Sequence, residues 1–251
     1  MIAIILAAGK GTRMRPLSYV IPKILLPVRG KPVLDYLLSG IEELSVENVY
    51  IIASENLKTI QTYIDKTGLK NVHVVRGLGW ETGGDLALGL ESIQPLNDDI
   101  LVMNGDIVTD ISFKSMLNDH KRKNAYATIG VFSISDPAEA SRFGQIIMDD
   151  NGTVTRFAEK EEGIISDRNL VNSGFYIFSK EMVSDRNKLL IPRIFKLEHD
   201  LFPELARNHK LTGSLCKLSY WWDVGTMESY LSAEEFFING KAIIPPGDND
   251  K

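Results

Sequence analysis

The residues best suited to chemistry lie within the first 30 positions of the chain. An apolar run at residues 2–8 leads into Gly9 and Gly11, and two basic side chains follow, Arg13 and Lys23. Glycines let the backbone approach an anion closely and offer it their N–H groups. Arginine supplies a forked donor for phosphate oxygens, and lysine supplies a compact positive charge. This spacing predicts a phosphate-binding loop directly after a buried strand.

Two common phosphate loops do not match this stretch. The P-loop pattern G-x-x-x-x-G-K-[ST] and the dinucleotide pattern G-x-G-x-x-G both require a glycine where this chain has Met14. A methionine there opposes the close packing of helix on strand that the dinucleotide fold needs. The sequence therefore argues against a P-loop enzyme and against an NAD-dependent one.

Charge and composition narrow the class of protein further. The 251 residues include 28 Lys+Arg and 33 Asp+Glu, which gives a net charge of −5. We expect no nucleic-acid partner, because nonspecific nucleic-acid binding needs positive charge. The single cysteine, Cys216, excludes an intrachain disulfide and favours a reducing, cytoplasmic location. The first apolar run is too short to span a membrane, so we expect no membrane partner.

Strand and helix patterns alternate through the first half of the chain. Strands are predicted at 2–8, 48–54, 71–76 and 99–106, and helices at 32–45, 56–66 and 83–93. This order is typical of a parallel sheet with helices on both faces. After residue 124 the pattern changes. Short strands are predicted at 125–134, 144–149, 152–158 and 172–178, and helices at 199–208 and 226–237.

The chain shows no internal linker rich in proline, glycine or serine. We therefore predict a single domain with two lobes over residues 1–240. Residues 1–124 form the nucleotide-binding half, and residues 125–240 form a mixed, partly antiparallel half that presents a second substrate. The polar stretch 241–251 is predicted to be a frayed tail.

Six motifs in a fixed order resemble the sugar-1-phosphate nucleotidylyltransferases, with a likeness to mannose-1-phosphate guanylyltransferases. The first is "LAAGKGTRMRPLSYVIPKILLPVRGKP", in which Met14, Ser18 and Ile24 are mild departures from the family signature. The others are "NGD" at 104–106, "RFG" at 142–144, "FAEK" at 157–160, "VNSGFYIF" at 171–178 and "WWDVGT" at 221–226. The resemblance covers essentially residues 1–240.

The resemblance implies a fold, a reaction and a cofactor. The fold would be a Rossmann-like, three-layer α/β nucleotide-diphospho-sugar transferase fold with a mixed, mostly parallel sheet. The reaction would convert an NTP and a sugar 1-phosphate into an NDP-sugar and pyrophosphate, with Mg²⁺ at the site. A phosphate monoester has a second pKa of ~6, so the attacking oxygen needs no general base at neutral pH. Catalysis then consists of positioning and charge neutralisation.

The resemblance also assigns roles to the motif residues. Those expected to act on phosphates in catalysis are Arg13, Lys23 and Lys160. Those expected to bind the nucleotide are Leu6, Ala8, Gly9, Gly11, Thr12, Glu81 and Gly84. Those expected to bind the sugar are Gly144, Glu159, Asn172 and Trp221. Asp106 and Asp223 are expected to hold Mg²⁺, which prefers hard oxygen ligands.

The sequence does not decide which nucleotide base and which sugar the protein would use. The segment "ETGGDL" at 81–86 lies where the family lines its base pocket, and it resembles some uridylyltransferases of cell-wall sugar recycling. The later motifs equally resemble mannose- and heptose-1-phosphate guanylyltransferases. A carboxylate at Glu81 can accept from guanine N1–H and the guanine amino group, which favours GTP over UTP or dTTP. If Glu81 only stabilises a helix N-terminus, this preference disappears.

Other interpretations use the same motifs. The chain could sense a nucleotide sugar without turnover, or it could act on a non-sugar phosphate. A sensor without turnover would not need the metal-binding and phosphate-binding side chains. All those that the resemblance implies are present, which argues against a sensor: Arg13, Lys23, Asp106, Lys160 and Asp223. No hexapeptide repeat is visible, so we expect neither acetyltransferase activity nor trimerisation through such repeats. The sequence leaves open whether the chain forms a homo-oligomer in another way.

Overall fold

The computed structural model describes residues 1–93, 96–159 and 168–239. The strands are β1 Ile2–Leu6, β2 Pro27–Val28, β3 Lys31–Pro32, β4 Val49–Ala53, β5 Val72–Arg76, β6 Ile100–Asn104, β7 Ile107–Thr109, β8 Ala127–Ser133, β9 Gly144–Met148, β10 Val154–Glu159, β11 Leu170–Phe178, β12 Leu211–Leu215 and β13 Trp221–Asp223. The helices are α1 Val33–Gly40, α2 Leu57–Thr67, α3 Glu81–Ser92, α4 Phe113–Arg122, α5 Pro137–Ala140, α6 Lys180–Ser184, α7 Arg186–Leu189, α8 Phe202–Arg207 and α9 Met227–Asn239. A π-helical turn, Leu197–Leu201, runs directly into α8.

Within the described part of the chain, nine strands form one mixed sheet with a parallel centre. In the order β10-β9-β11-β6-β1-β4-β5, β1 lies parallel to both β6 and β4, and β4 lies parallel to β5. β11 is antiparallel to β6, and β8 pairs with the opposite edge of β11. The predicted α/β fold with a mixed sheet is confirmed.

Each face of the sheet buries its own apolar layer, as the alternation of side chains along a strand requires. Ile5 of β1 packs in the layer that contains Leu34 of α1 and Phe113 of α4. Ile4, its neighbour in β1, packs in the layer that contains Leu86 of α3. Helices therefore cover both faces and make three layers. In the described ranges, no helix combines the length and apolar character needed to cross a membrane.

Element ends differ from the prediction where tertiary contacts intervene. α1 ends at Gly40, five residues before the predicted end, and Phe113 of α4 packs there, 2.6 Å from where a β-carbon of Gly40 would lie. β6 ends at Asn104, two residues before the predicted end. Gly105 turns the chain at this point, and its N–H donates to Leu6 O at 2.9 Å. This turn brings the residue after Gly105 to the edge of the sheet.

Several elements were not predicted from the sequence, among them α4 and β12. The Ser112 hydroxyl accepts from Ser115 N at 3.2 Å and caps α4, which buries Phe113 and Met116 on one face. β12 lies parallel to β8. Its central Gly213 packs closely against Met148, whose Sδ would be 2.7 Å from an added β-carbon. Glycine weakens the local strand signal, so only the pairing with β8 defines this strand.

Candidate active site

A cleft of about 540 Å³ opens at the carboxyl ends of β1 and β6. Open α/β sheets bind their ligands at such edges. Its lining residues come from both predicted halves of the chain. Twelve residues predicted for the site line it: Leu6, Ala8, Gly9, Thr12, Arg13, Glu81, Asp106, Gly144, Glu159, Asn172, Trp221 and Asp223.

The other four predicted residues are placed differently. Gly11 and Lys23 line a smaller cavity of about 60 Å³, which shares part of its wall with the cleft. Gly84 belongs to α3 and is not among the described residues that line either cavity. Lys160 lies outside the described residues, so its expected binding to a sugar phosphate stays a prediction.

Backbone conformation and hydroxyl contacts shape the predicted phosphate loop. Gly11 has a φ of +60°, in the left-handed region that favours glycine. The Ser18 hydroxyl donates to Gly11 O at 2.8 Å, and the Ser54 hydroxyl donates to Ala8 O at 2.6 Å. The Met14 side chain is fully buried. The methionine that excludes a dinucleotide fingerprint thus anchors the loop in the core.

Two aspartates and a lysine meet beside this loop. β13 pairs antiparallel with β7 and sets Asp223 opposite Ile107, the residue after Asp106. Val224 N donates to Asp106 O at 2.8 Å, which holds the two segments together. Lys23 Nζ lies 3.1 Å from Asp106 Oδ2 and forms a half-buried ion pair with it. The arrangement collects one positive and two negative side chains around Asp106, which lines both cavities.

The Asp223 carboxyl fits a metal-binding role. Its Oδ1 is buried and has no hydrogen-bond partner among the described residues. Burial, and then the charge of Asp106, raise the pKa of Asp223 from 3.8 to about 6. Lys23, Arg13 and a backbone hydrogen bond from Gly225 to the carboxyl act to lower this pKa. A buried acceptor without a partner is costly unless a ligand satisfies it.

These two carboxylates suit Mg²⁺ better than a metal that needs a full protein cage. Among the described residues, no group of three or more His, Cys, Asp or Glu side chains could hold a metal ion. Mg²⁺ usually binds through one or two carboxylates and takes its remaining ligands from water and substrate phosphates. Asp106 and Asp223 therefore fit the ion that the family resemblance implies.

At the other side of the cleft, Glu81 begins α3 in an unusual conformation. Its φ is +65°, which a residue other than glycine rarely adopts. Glu81 Oε2 lies 3.7 Å from Lys196 Nζ, and both side chains are about half exposed and line the cleft. The carboxylate stands at the N-terminus of α3 and also lines the cleft. Its position is therefore compatible both with stabilising the helix N-terminus and with contacting a base.

The backbone at Glu81 leads to a stability prediction. Alanine normally stabilises a helix over glycine by about 1 kcal/mol, but the left-handed conformation costs alanine about 1–2 kcal/mol. We therefore expect Glu81→Gly to be at least as stable as Glu81→Ala in urea unfolding. At exposed Thr62 of α2, the same pair of substitutions should favour alanine. The usual order at both positions would contradict a left-handed Glu81.

The two glycines after Thr82 serve a close backbone contact. Gly83 N and Gly84 N each donate to Phe195 O at 3.1 Å. A β-carbon on Gly84 would overlap Arg193 O and come within 2.7 Å of Trp80 Cβ. Gly84 thus lets the segment 193–198 dock on the start of α3, and its expected part in nucleotide binding stays a prediction.

Asp85 shapes the turn before α3. It is only 3% exposed, and its Oδ1 accepts from Leu78 N at 2.7 Å and from Gly79 N at 3.1 Å. Burial raises the pKa of Asp85, while these backbone donors lower it. The carboxylate therefore orders the turn that leads into α3.

The predicted sugar residues line one end of the cleft. β9 pairs with β10 so that Gly144 faces Glu159, and Glu159 Oε2 would lie 2.7 Å from a β-carbon on Gly144. Asn172 Oδ1 accepts from Gly174 N at 2.8 Å, and this local bend has a φ of +81° at Gly174. Trp221 Nε1 donates to Ser173 O at 2.9 Å, so the indole contributes a wall rather than a free donor.

The cleft also contains residues to which the sequence analysis assigned no role. They are Lys10, Gly79, Thr82, Asp85, Asn104, Ile107, Phe143, Gly174, Lys196 and Glu198. Lys10 lies between the two loop glycines, and its charge was a usable signal. Lys196 and Glu198 lie in "FKLEHD", which matches no motif, so only the docking of this segment on α3 brings them to the cleft.

Comparison with known proteins identifies the family. The model for the nucleotidyl transferase family matches residues 2–240. The chain therefore belongs to the nucleotidyl transferase family, as the ordered motifs and the fold indicate.

Individual relatives differ in the nucleotide that their names specify. A Sulfolobus acidocaldarius protein, provisionally named a mannose-1-phosphate guanyltransferase, is 32% identical over 91% of this chain and 61% of its own length. A UTP–glucose-1-phosphate uridylyltransferase from Synechocystis sp. is 32% identical over 93% of this chain and 62% of its own length. The chain thus spans about three fifths of the length of these curated relatives.

A solved structure supports the fold assignment. It is a Bacillus anthracis protein, provisionally assigned as a glucose-1-phosphate thymidylyltransferase, with a TM-score of 0.78 at 20% sequence identity. The likeness covers 95% of this chain and 96% of that one. The two chains share the nucleotide-diphospho-sugar transferase fold.

Proposed function

We propose that this chain transfers a nucleotidyl group from an NTP to a sugar 1-phosphate, releasing pyrophosphate and forming an NDP-sugar. The observation that carries the proposal is a single cleft that joins three parts. It brings together the glycine loop with Arg13, the Asp106–Asp223 pair, and the Glu159–Asn172 pocket. The first two parts suit a triphosphate and its cation, and the third suits a ligand rich in hydroxyls.

The reaction needs positioning more than proton transfer. An oxygen of the sugar phosphate attacks the α-phosphorus, a new phosphorus–oxygen bond forms, and the bond to the β-phosphate breaks. Because the attacking phosphate is largely ionised at neutral pH, no side chain has to remove a proton. The obstacle is repulsion between two polyanions, which fixed positive charges reduce.

Arg13 and Lys23 supply positive charge where the triphosphate would lie. Arg13 lines the cleft, and Lys23 reaches Asp106 from the adjoining cavity. Both can neutralise the departing pyrophosphate. Asp106 and Asp223 would hold Mg²⁺, which when bound supplies further charge neutralisation at the phosphates.

The Glu81–Lys196 pair favours one class of base. A carboxylate accepts from an N–H, and a nearby ammonium donates to a carbonyl oxygen. Guanine, uracil and thymine each present a carbonyl beside a ring N–H, whereas adenine and cytosine present an amino group there. Guanine adds an amino group that the Glu81 carboxylate can also accept from. We therefore propose GTP, with mannose or heptose 1-phosphate, ahead of UTP or dTTP.

A pyrophosphate-release assay with Mg²⁺ tests this function. It should combine GTP, UTP, dTTP, ATP and CTP with mannose, glucose, N-acetylated and heptose 1-phosphates. We expect turnover with GTP and a sugar 1-phosphate, and little with ATP or CTP. Turnover only with UTP or dTTP would keep the enzyme class and reject GTP. No turnover while GTP still binds would favour a sensor or a non-sugar acceptor.

The titration of Asp223 predicts how pH affects the metal-free protein. The folded pKa of about 6 exceeds the ordinary 3.8, so the folded state holds more protons between these values. The free energy of unfolding should therefore fall as pH rises from about 4 to about 6. Millimolar Mg²⁺ should raise the melting temperature more at pH 7 than at pH 5, because it binds the ionised carboxylate.

Thermal unfolding at both pH values, with and without Mg²⁺, checks this expectation. Asp223→Asn is the control, because it removes the titrating group but keeps the side chain's shape. We expect this variant to lose the difference between the two Mg²⁺-induced shifts. An equal shift at both pH values in the unaltered protein would contradict the assignment.

A further inference from the structure

Glu198 connects the two sides of the cleft, although no motif of the sequence includes it. It lies on the π-helical turn Leu197–Leu201 and lines the cleft. One carboxylate oxygen, Oε2, accepts from the Thr82 hydroxyl at 2.6 Å. The other, Oε1, accepts from the Tyr176 hydroxyl at 3.4 Å. Thr82 belongs to α3 beside Glu81, and Tyr176 belongs to β11 beside the sugar pocket.

The link to the nucleotide side is fully defined by hydrogen bonds. Thr82 Oγ1 accepts from Leu197 N at 3.0 Å while its proton points to Glu198. Gly83 N and Gly84 N bond to Phe195 O in the same segment. The start of α3 and the segment 193–198 therefore form one unit.

The link to the sugar side runs through a buried tyrosine. Tyr176 is fully buried, and its hydroxyl accepts from Asn172 Nδ2 at 3.0 Å. Asn172 Oδ1 is held by Gly174 N. Burial, and then the nearby Glu198 charge, raise the pKa of Tyr176 well above its usual value, so the hydroxyl stays a donor. These bonds fix the Asn172 amide plane, and among the described residues none accepts from its second N–H, which is therefore available to a ligand.

We infer that Glu198 is a positioning residue that holds the nucleotide side and the sugar side of the cleft in register through Thr82 and Tyr176. This inference rests on the proposed function. Its carboxylate is the common acceptor of two hydroxyl protons, one from each side. Reaction in line at the α-phosphorus depends on the relative placement of the two substrates, and a misplacement of about 1 Å can cost about a hundredfold in rate.

The test replaces Glu198 by glutamine, which keeps the shape but leaves one hydroxyl facing an NH₂ group. We expect the KM for both the NTP and the sugar 1-phosphate to rise roughly tenfold, because both sides lose their common anchor. Thr82→Val should raise mainly the KM for the NTP. Tyr176→Phe should raise mainly the KM for the sugar 1-phosphate. Glu198→Gln combined with Tyr176→Phe should cost less than the product of the two separate effects.

Glu204→Gln is the matched control, because it makes the same glutamate-to-glutamine change at an exposed position of α8. Calorimetry with GTP alone and with mannose 1-phosphate alone reports binding without turnover. If the pyrophosphate-release assay finds another NTP and sugar 1-phosphate that react, these two substrates are used instead. Unchanged KM values with a lower melting temperature would overturn the inference and leave Glu198 a stabilising contact. Additive effects in the double variant would also overturn it. Absence of turnover by the unaltered protein would instead reject the proposed function.

Discussion

Asp106→Asn is expected to lower the rate of pyrophosphate release by about a thousandfold, the largest effect on activity that the site predicts. Asp106 is the ion-pair partner of Lys23 at 3.1 Å, and it is one of two carboxylates available for Mg²⁺. Asparagine keeps the size of the side chain but removes its charge, so both interactions weaken together. Steady-state rates at saturating NTP and sugar 1-phosphate measure the loss.

The protein should still fold after this change. Asparagine keeps the shape of the side chain and an oxygen that can accept from the Lys23 ammonium, so Lys23 keeps a hydrogen-bond partner. Asp150→Asn is the control, because Asp150 is 97% exposed in its ion pair with Arg168. That variant should keep full activity. Full activity in Asp106→Asn would remove Asp106 from the proposed machinery.

Gly84→Ala is expected to cause the largest loss of stability. Its β-carbon would overlap Arg193 O, which is backbone and cannot rotate away, and would lie 2.7 Å from Trp80 Cβ. Relief requires the segment 193–198 to move, which breaks the bond from Gly84 N to Phe195 O. Overpacking typically costs about 1–3 kcal/mol, and a clash with backbone atoms places this substitution near the upper value. For a chain of this size, the melting temperature should fall by about 10 °C.

The same variant also tests the link between α3 and the cleft. Displacement of the segment 193–198 should move Glu198 and Lys196, so the KM values should rise even below the melting temperature. Ser92→Ala, at an exposed position on α3, should leave both stability and KM within error. A stable and fully active Gly84→Ala protein would show that the segment tolerates a side chain there.

Much of the fold could be predicted because its signals are local. Apolar runs and helical spacing predicted β1, β4, β5 and β6 with the helices between them, since each pattern needs only neighbouring residues. The glycine loop was predicted for the same reason, because its glycines and basic residues lie within one short segment. Boundaries failed where another element decides them, as at Gly40 against Phe113. β12 was missed because its pairing with β8 defines it.

The family and the alternation of strands and helices as far as β6 follow from local sequence patterns, as do the residues expected to bind phosphates and hydroxyls. Which of these residues come together depends on how the chain folds. Pairing of β13 with β7 brings Asp223 beside Asp106, and docking on two glycines brings Lys196 and Glu198 to the cleft. The left-handed backbone of Glu81 likewise has no local signal. These features depend on contacts between segments far apart in the chain, which no local pattern encodes.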